Sequence, residues 1–103
     1  MQIIKSDLGQ FIRTLRKEQN LTLHQVAVGV DVDSPMLSKI ERGERLATTE
    51  QAKRLATFFK IDEADLLAKL TAEKIIKDYG ANQLTLNAVM MVQEQLLNYT
   101  KND

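Results

Sequence analysis

The stretch TLHQVAVGVDVDSPMLSKIERGER, residues 22–45, decides how this chain folds. Its first residue, Thr22, begins a helix, because Gln25 lies three residues further on and completes a capping box with it. This helix can last only about two turns, since Gly-Val-Asp-Val at residues 29–32 is a poor helical stretch. A second helix begins directly after that stretch.

Three residues mark the start of this second helix. Asp33 and Ser34 are both good N-caps, and either can be the one used. Pro35 suits a first turn, where its missing N–H breaks no hydrogen bond. We expect the helix to run from near Asp33 to about Arg42 and to stop at Gly43.

Two short helices separated by about four residues form the helix-turn-helix arrangement, in which the second helix enters the major groove of DNA. The small side chain of Ala27 on the first helix would let the two helices approach closely. An ordinary helical hairpin has the same periodicity, so the spacing alone leaves both structures open.

Helical periodicity continues through the rest of the chain and strictly alternating β-branched runs are missing, so we expect an all-α protein. The first helix should begin at Ser6 or Asp7 and end near Asn20. A fourth should begin at Thr48, which forms a second capping box with Gln51. The apolar residues expected to form the core of this part of the chain are Leu8, Phe11, Ile12, Leu15, Val26, Val30, Val32, Leu37, Ile40, Ala52, Leu55, Ala56 and Phe59.

Two further helices complete the pattern. Asp62 caps the fifth, and Asp65 in its first turn suits the helix dipole. Gly80 ends that helix, and a last one is expected over about residues 83–98. The inner face of the fifth helix should comprise Leu66, Leu67, Leu70, Ile75 and Tyr79.

Composition limits the class of protein. The chain has 103 residues, 44% of them hydrophobic, which suits one compact domain with a small appendage. It has no cysteine, which excludes disulfides and thiolate metal sites. No apolar run approaches the roughly 18 residues of a membrane span, and the N-terminus lacks the apolar stretch of a secretory signal. We therefore expect a soluble, cytoplasmic protein with no membrane partner.

The formal net charge is zero, whereas nucleic-acid binders usually carry a basic surface. Residues 1–60 contain ten Lys or Arg and seven Asp or Glu, a balance of +3. Residues 61–103 contain four and seven, a balance of −3. The first part of the chain is therefore better suited to face phosphate, although an asymmetry of this size carries little weight alone.

The run Ser38-Lys39-Ile40-Glu41-Arg42-Gly43, preceded by Leu37 and by Leu21-Thr22 at the start of the first short helix, resembles the Cro/C1-type family of bacterial and phage regulators, also called the XRE family. The resemblance covers about residues 6–67. It implies a five-helix lambda-repressor-like DNA-binding domain, which we expect over residues 1–67. A helical extension with an additional C-terminal helix follows over residues 68–103.

The resemblance also implies contacts with double-stranded DNA. In relatives, the positions of Ser34, Pro35 and Lys39 face base edges, and that of Ser38 lies nearby. The positions of Leu23 and of the segment 42–45 lie against phosphate. A lysine can donate to guanine O6 or N7, and arginines suit phosphate. The candidate DNA-contacting residues are Thr22, Leu23, His24, Ser34, Pro35, Ser38, Lys39, Arg42 and Arg45.

Three positions depart from the family's pattern. Leu23 stands where relatives commonly have glutamine, so a backbone N–H or His24 would have to bind phosphate there. Pro35 has no side-chain hydrogen bond to offer and could make only apolar contact, for example with a thymine methyl group. Asp31 stands where glycine is common, but aspartate tolerates a left-handed turn better than most residues.

Other residues have roles apart from DNA. The resemblance pairs Glu41 with Arg16 of the first helix, and such a buried pair would support the fold. The alternative for Lys39 and Arg45 is that both are solvated charges on an exposed face, with no role in binding DNA.

No catalytic constellation is present in the sequence. There is one histidine, His24, and there is no P-loop or Gly-x-Gly-x-x-Gly motif. The carboxylates of Asp62 and Asp65 are explained by a helix start. We therefore expect no enzyme activity, metal, cofactor or small-molecule substrate.

The last predicted helix carries more apolar surface than docking onto a small domain needs. It could pair with a second copy or fold back on its own chain, and the sequence favours neither. A two-fold dimer would read two half-sites about 34 Å apart, whereas one helix touches few base pairs. We therefore predict a homodimer. The residues that form the apolar surface of this helix are Leu86, Val89, Met90, Met91, Val92, Leu96 and Leu97.

The function that these features predict is sequence-specific transcriptional regulation, most simply repression by covering a promoter. Two narrower roles stay open, a controller protein for a restriction-modification system and an antitoxin that represses its own operon. The alternative from another class is a protein-interaction adaptor, or an antitoxin-like module, that keeps the fold and binds DNA weakly or not at all.

Overall fold

The computed structural model describes residues 8–101, and within that range the chain forms six α-helices and no strand. The all-α class is thus confirmed. The caps predicted for the first helix, Ser6 and Asp7, lie outside the described residues. The helices are α1 (Leu8–Glu18), α2 (Leu23–Gly29), α3 (Ser34–Glu41), α4 (Thr49–Phe59), α5 (Glu63–Tyr79) and α6 (Gln83–Lys101).

Both predicted capping boxes are present, at the starts of α2 and α4. The hydroxyl of Thr22 accepts from the Gln25 N–H at 3.0 Å, and the Gln25 side chain accepts from the Thr22 N–H at 2.7 Å. Thr48 and Gln51 make the same pair of bonds at 3.0 and 2.9 Å. Each box satisfies two backbone donors that a helix start would otherwise leave unpaired.

The starts of α3 and α5 each use an aspartate. Asp33 is the N-cap of α3, because its carboxylate accepts from the Met36 N–H at 2.7 Å, and Ser34 is the first helical residue. At α5 the carboxylate of Asp62 accepts from the Ala64 N–H at 3.0 Å. The choice that the sequence left open at α3 thus falls on Asp33.

Left-handed residues end most of the helices. Glycine takes this conformation after α3 and α5, at Gly43 with φ 74° and Gly80 with φ 89°. Three residues with side chains also take it: Asn20 with φ 56°, Asp31 with φ 58° and Lys60 with φ 57°. This conformation lets the chain turn away while its N–H groups still bond to the last helical carbonyls. Lys60 is the one among these five that the sequence did not suggest.

The described residues fall into two units, residues 8–74 and 75–101. The predicted domain boundary after residue 67 falls inside α5. In the first unit, α1 and α2 both pack against α3. The buried core of this unit comprises Leu8, Ile12, Val26, Ala27, Val30, Leu37, Ile40, Ala47, Ala52, Leu55, Ala56, Phe59, Leu66 and Leu70. Partly buried residues packed against it include Phe11, Leu15, Val32 and Leu67, so the predicted faces of α1 to α4 are confirmed.

A contact distant in sequence completes the start of α1. The N–H of Leu8 donates to the carboxylate of Glu73 on α5 at 3.0 Å. A carboxylate at a helix N-terminus also favours the helix dipole. Glu73 therefore joins the two ends of this unit.

The second unit contains the turn at Gly80 that connects α5 to α6. The hydroxyl of Thr85 donates to the carbonyl of Tyr79 at 3.0 Å, and its N–H donates to the side chain of Asn82 at 2.9 Å. The amide of Asn82 donates to the same Tyr79 carbonyl at 3.1 Å. Thr85 is buried, so these bonds hold the turn between the helices in one geometry.

Apolar side chains are exposed along the whole of α6, which runs to Lys101, about one turn beyond the predicted end at residue 98. Tyr79, expected on the inner face of α5, is 71% exposed, so that prediction is wrong. The large apolar side chains that are exposed on α6 are Leu84, Leu86, Val89, Met90, Met91, Val92, Leu96, Leu97 and Tyr99.

Candidate nucleic-acid interface

One face of α3 is anchored in the core of the 8–74 unit. Leu37 and Ile40 are fully buried, and Met36 is partly buried against the same cluster. Ala27 on α2 is also buried, which fits the close approach predicted for this small residue. Burial of each large apolar side chain stabilises the fold by roughly 1.5–3 kcal/mol, so these contacts hold α3 in one position on the domain.

The carboxyl end of α3 is tied to α1 by an ion pair. Arg16 donates to Glu41 through Nε at 2.8 Å and through Nη2 at 3.0 Å. Its Nη1 also donates to the carbonyl of Leu21 at 3.0 Å, just before the cap of α2. The Glu41 side chain is 5% exposed. Arg16 therefore joins α1, the start of α2 and the end of α3, as the resemblance predicted for the pair.

These hydrogen bonds also act on the acid–base chemistry of Arg16. The bond to the Glu41 carboxylate raises the pKa of the Arg16 guanidinium above its ordinary value, and the nearby negative charge adds to the effect. Burial lowers the pKa of Arg16 and is second in size to the hydrogen bond, so the pKa remains raised. Arg16 is therefore charged throughout the pH range of ordinary solution work.

Gly9 sets how closely α1 approaches the same end of α3. A Cβ atom at this position would overlap the carbonyl oxygen of Ile40 and lie 2.9 Å from that of Glu41. Both obstacles are backbone atoms, which cannot rotate aside. The contact therefore requires glycine, and its signal in the sequence is an isolated glycine within a helical pattern, which often marks close packing.

The opposite face of α3 is free of the core and carries candidate DNA-contacting residues. Pro35, Ser38, Lys39 and Arg42 recur at the i, i+3, i+4, i+7 spacing of one helical face. Pro35, Lys39 and Arg42 are exposed, and Ser38 is half-buried. A helix seated on one side and polar on the other can enter a groove about 12 Å wide.

The start of α2 carries three more candidates, which differ in how available their side chains are to a ligand. Thr22 is exposed, but its hydroxyl already accepts the bond from Gln25. His24 is exposed and Leu23 is half-buried against the core. Leu23 is therefore a packing residue first, and His24 is the side chain here with room to reach a ligand.

Two arginines follow α3. Arg42 donates to the carboxylate of Glu44 through Nε at 2.6 Å, and both side chains are 55% exposed. Arg45 is exposed in the segment between α3 and α4, and Ser34 at the start of α3 is half-buried. The nine candidates thus lie at the start of α2, along α3 and in the segment after it, all within the 8–74 unit.

Sequence reasoning did not single out Glu44 or Gly9. Glu44 lies two residues after Arg42, which is a readable signal for a local ion pair. In the part of the chain that the structure describes, no three His, Cys, Asp or Glu side chains gather where they could hold a metal ion. Across residues 8–101, every helix is too short or too polar to cross a bilayer.

Residues 12–66 match a family model described as helix-turn-helix, and this match spans more than half of the chain. The chain belongs to the helix-turn-helix family. This match confirms the resemblance to the Cro/C1-type helix-turn-helix family that the sequence indicated.

Two known proteins, one compared by sequence and one by structure, are similar to this helix-turn-helix chain. It is 40% identical over 65 residues to the uncharacterized HTH-type transcriptional regulator RghRB of Bacillus subtilis (strain 168), an alignment that covers 61% of this chain. The same alignment covers 46% of RghRB, so the chain spans less than half of that relative.

Two crystal structures of the clp gene regulator ClgR from Corynebacterium glutamicum have a similar fold. One has a TM-score of 0.56 at 24% identity and covers 70% of this chain and 94% of its own. The other has a TM-score of 0.57 at 20% identity and covers 96% and 95%. These likenesses are of fold, and they agree with a lambda-repressor-like helical domain.

Proposed function

We propose that this protein is a sequence-specific repressor that binds DNA as a homodimer and inserts α3 of each copy into successive major grooves. In this arrangement Ser34, Pro35 and Lys39 face the bases and Ser38 lies beside them. Arg42 and Arg45 bind phosphate, joined by Thr22, Leu23 and His24 at the start of α2, where Leu23 contributes its backbone alone. The bound dimer covers a promoter.

The observation that carries this proposal is the division of α3 into two faces. Leu37 and Ile40 are buried, whereas Lys39 and Arg42 are exposed on the other side. A helix that contacts bases needs this combination, because packing of its inner face fixes the position of the side chains on its outer face. Lysine on such a face distinguishes guanine by donating to O6 or N7.

The second copy is the occupant that best suits α6. Leu86, Met90 and Leu97 are each more than half exposed and recur at helical spacing, with Gln93 between them. Exposed apolar surface of this extent marks an interaction site in a soluble protein. Glu94 is the one acidic residue in α6, so two copies can approach without strong charge repulsion.

A two-fold dimer also meets the need of the DNA contact. One α3 touches only a few base pairs, which is too little sequence to define a site in a genome. Two copies of α3 spaced by about 34 Å would read two half-sites on one face of the duplex. Such a regulator acts where the DNA is, so we place it in the cytoplasm.

Selection of bound fragments from random DNA tests the proposal. We expect an inverted repeat whose half-sites are centred about 10 base pairs apart, and affinity that falls steeply as salt rises, because bound phosphates release counterions. A single unrepeated site would contradict the homodimer. Binding that is absent, or that does not respond to salt, would favour the protein-interaction adaptor.

A further inference from the structure

The exposed pair formed by Arg42 and Glu44 has a fixed backbone beneath it. The left-handed Gly43 lets its own N–H donate to the Ile40 carbonyl at 3.1 Å and the Glu44 N–H donate to the Lys39 carbonyl at 2.9 Å. Together these bonds form a Schellman-type helix end. The carboxylate of Glu44 is thereby held next to the last turn of the DNA-reading helix.

The carboxylate engages the guanidinium of Arg42 from two directions. Nε donates to one oxygen of Glu44 at 2.6 Å, and Nη2 lies 3.4 Å from the other. Both side chains are 55% exposed, and an ion pair this open to solvent contributes little to stability. The stability of the domain therefore does not explain why an acidic residue stands here.

Carboxylate and phosphate compete for the same partner. Both present two oxygens in the geometry that a planar guanidinium binds with two parallel hydrogen bonds. A guanidinium paired with Glu44 must leave it before it binds a DNA phosphate through the same N–H groups.

We propose that Glu44 holds Arg42 in the DNA-free protein and competes with DNA phosphate for it, so that Glu44 weakens binding to all DNA sequences. This inference rests on the proposed function, since it requires the outer face of α3 to meet DNA. Glu44 thereby limits the share of affinity that comes from the phosphate backbone. The share that comes from base reading is untouched, and the protein spends less time on DNA outside its sites.

The first test compares Glu44→Gln with Glu50→Gln as a matched control. Glu50 is also exposed, and it forms an ion pair with Arg54 at 3.5 Å within α4. Both substitutions therefore remove one negative charge and one surface pair. The probe is a random-sequence duplex of about 20 base pairs, because the competition does not depend on sequence.

We expect Glu44→Gln to bind this duplex about three- to tenfold more tightly than the parent, with a salt dependence steeper by up to about one phosphate contact. Glu50→Gln should bind within about twofold of the parent. Equal behaviour of the two variants, or weaker binding by Glu44→Gln, would overturn the proposal.

A double-mutant cycle separates competition for Arg42 from simple repulsion between Glu44 and DNA. In an Arg42→Gln background, Glu44→Gln should give no further gain in affinity, because the contested guanidinium is gone. The same gain in both backgrounds would mean that Glu44 acts by repulsion alone and would refute the proposed competition.

A readout without DNA distinguishes failure of this inference from failure of the proposed function. The nuclear magnetic resonance signal of the Arg42 Nε–H should shift in Glu44→Gln and stay in place in Glu50→Gln. An unshifted signal would exclude the ion pair itself. A shifted signal in a protein that binds no DNA would instead reject the regulator, and with it the competition for phosphate.

Discussion

Arg16 and Glu41 join α1 to the end of α3 through two hydrogen bonds, 25 residues apart in the sequence. We expect Arg16→Ala to lower the free energy of unfolding by ~3–5 kcal/mol, because it leaves the Glu41 carboxylate buried without its partner. Chemical denaturation followed by circular dichroism measures this loss. Arg13→Ala is the control, since Arg13 is exposed on the same helix and should change stability by less than about 0.5 kcal/mol. Equal losses in the two variants would contradict a special role for the pair.

Lys39 and Arg45 should differ in the kind of DNA binding that they support. Lys39→Ala should change which base is preferred at one position of each half-site, at a cost of about 1–3 kcal/mol for the parent site. Arg45→Ala should weaken binding to every sequence alike and reduce the salt dependence by about one contact. Binding to a panel of single-base variants, repeated at several salt concentrations, measures both effects. The same specificity profile in both variants would show that Lys39 does not read a base.

The close approach of Gly9 to α3 predicts an unusually harmful alanine. Gly9→Ala should destabilise the domain by about 1–3 kcal/mol, because the added methyl group meets backbone carbonyls. At Gly29 an added Cβ meets the ring of Phe58, a half-buried side chain that can rotate. Gly29→Ala should therefore be milder, helped by the better helix propensity of alanine. Urea midpoints of the two variants decide the matter, and a Gly9→Ala protein as stable as the parent would refute the close packing.

Leu97 lies on the apolar surface that we assign to the second copy, 61% exposed in the single chain. Leu97→Glu should weaken the dimer by at least about tenfold, since it places a charge in an apolar interface. Sedimentation over a range of concentrations measures the change. Asn98→Glu adds the same charge at the next position, off that face, and should leave assembly unchanged. A parent protein that is monomeric at tens of micromolar would remove the basis of this prediction.

Much of the fold of the 8–74 unit could be predicted because its signals are local. A capping box needs only four residues, and Thr22 with Gln25 specifies a helix start regardless of the rest of the chain. The start of α3 was ambiguous because aspartate and serine both cap well, and the ambiguity ends only when the carboxylate of Asp33 meets the Met36 N–H.

The features of the fold that could not be predicted are contacts between residues far apart in the sequence and residues in strained backbone conformations. Glu73 bonds to the N–H of Leu8, 65 residues away, and no local pattern connects them. Lys60 takes a left-handed conformation that lysine rarely adopts, since the Ile61 N–H must reach the Ala56 carbonyl to close α4. The face predicted for α5 fails at Tyr79 because periodicity reports which residues share a face and says nothing about whether core is present to cover it.

The same limit applies to the candidate interface. The spacing of Pro35, Ser38, Lys39 and Arg42 identifies an outer face of α3 once the helix start is known. The spacing could not show that Arg42 already has a partner in Glu44, because ion pairing depends on the turn at Gly43. Candidate contact residues can thus be proposed from the sequence, whereas competition for one of them can be inferred only from the structure.

The left-handed residue at the end of α4 has a practical consequence for engineering. Glycine adopts this conformation without the steric penalty, roughly 1–2 kcal/mol, that a lysine meets there. The position lies outside the nine candidate DNA-contacting residues. Within residues 8–101, Lys60 makes no side-chain hydrogen bond or ion pair that would be lost in glycine. Lys60→Gly should therefore raise heat tolerance and leave the proposed DNA contacts unchanged.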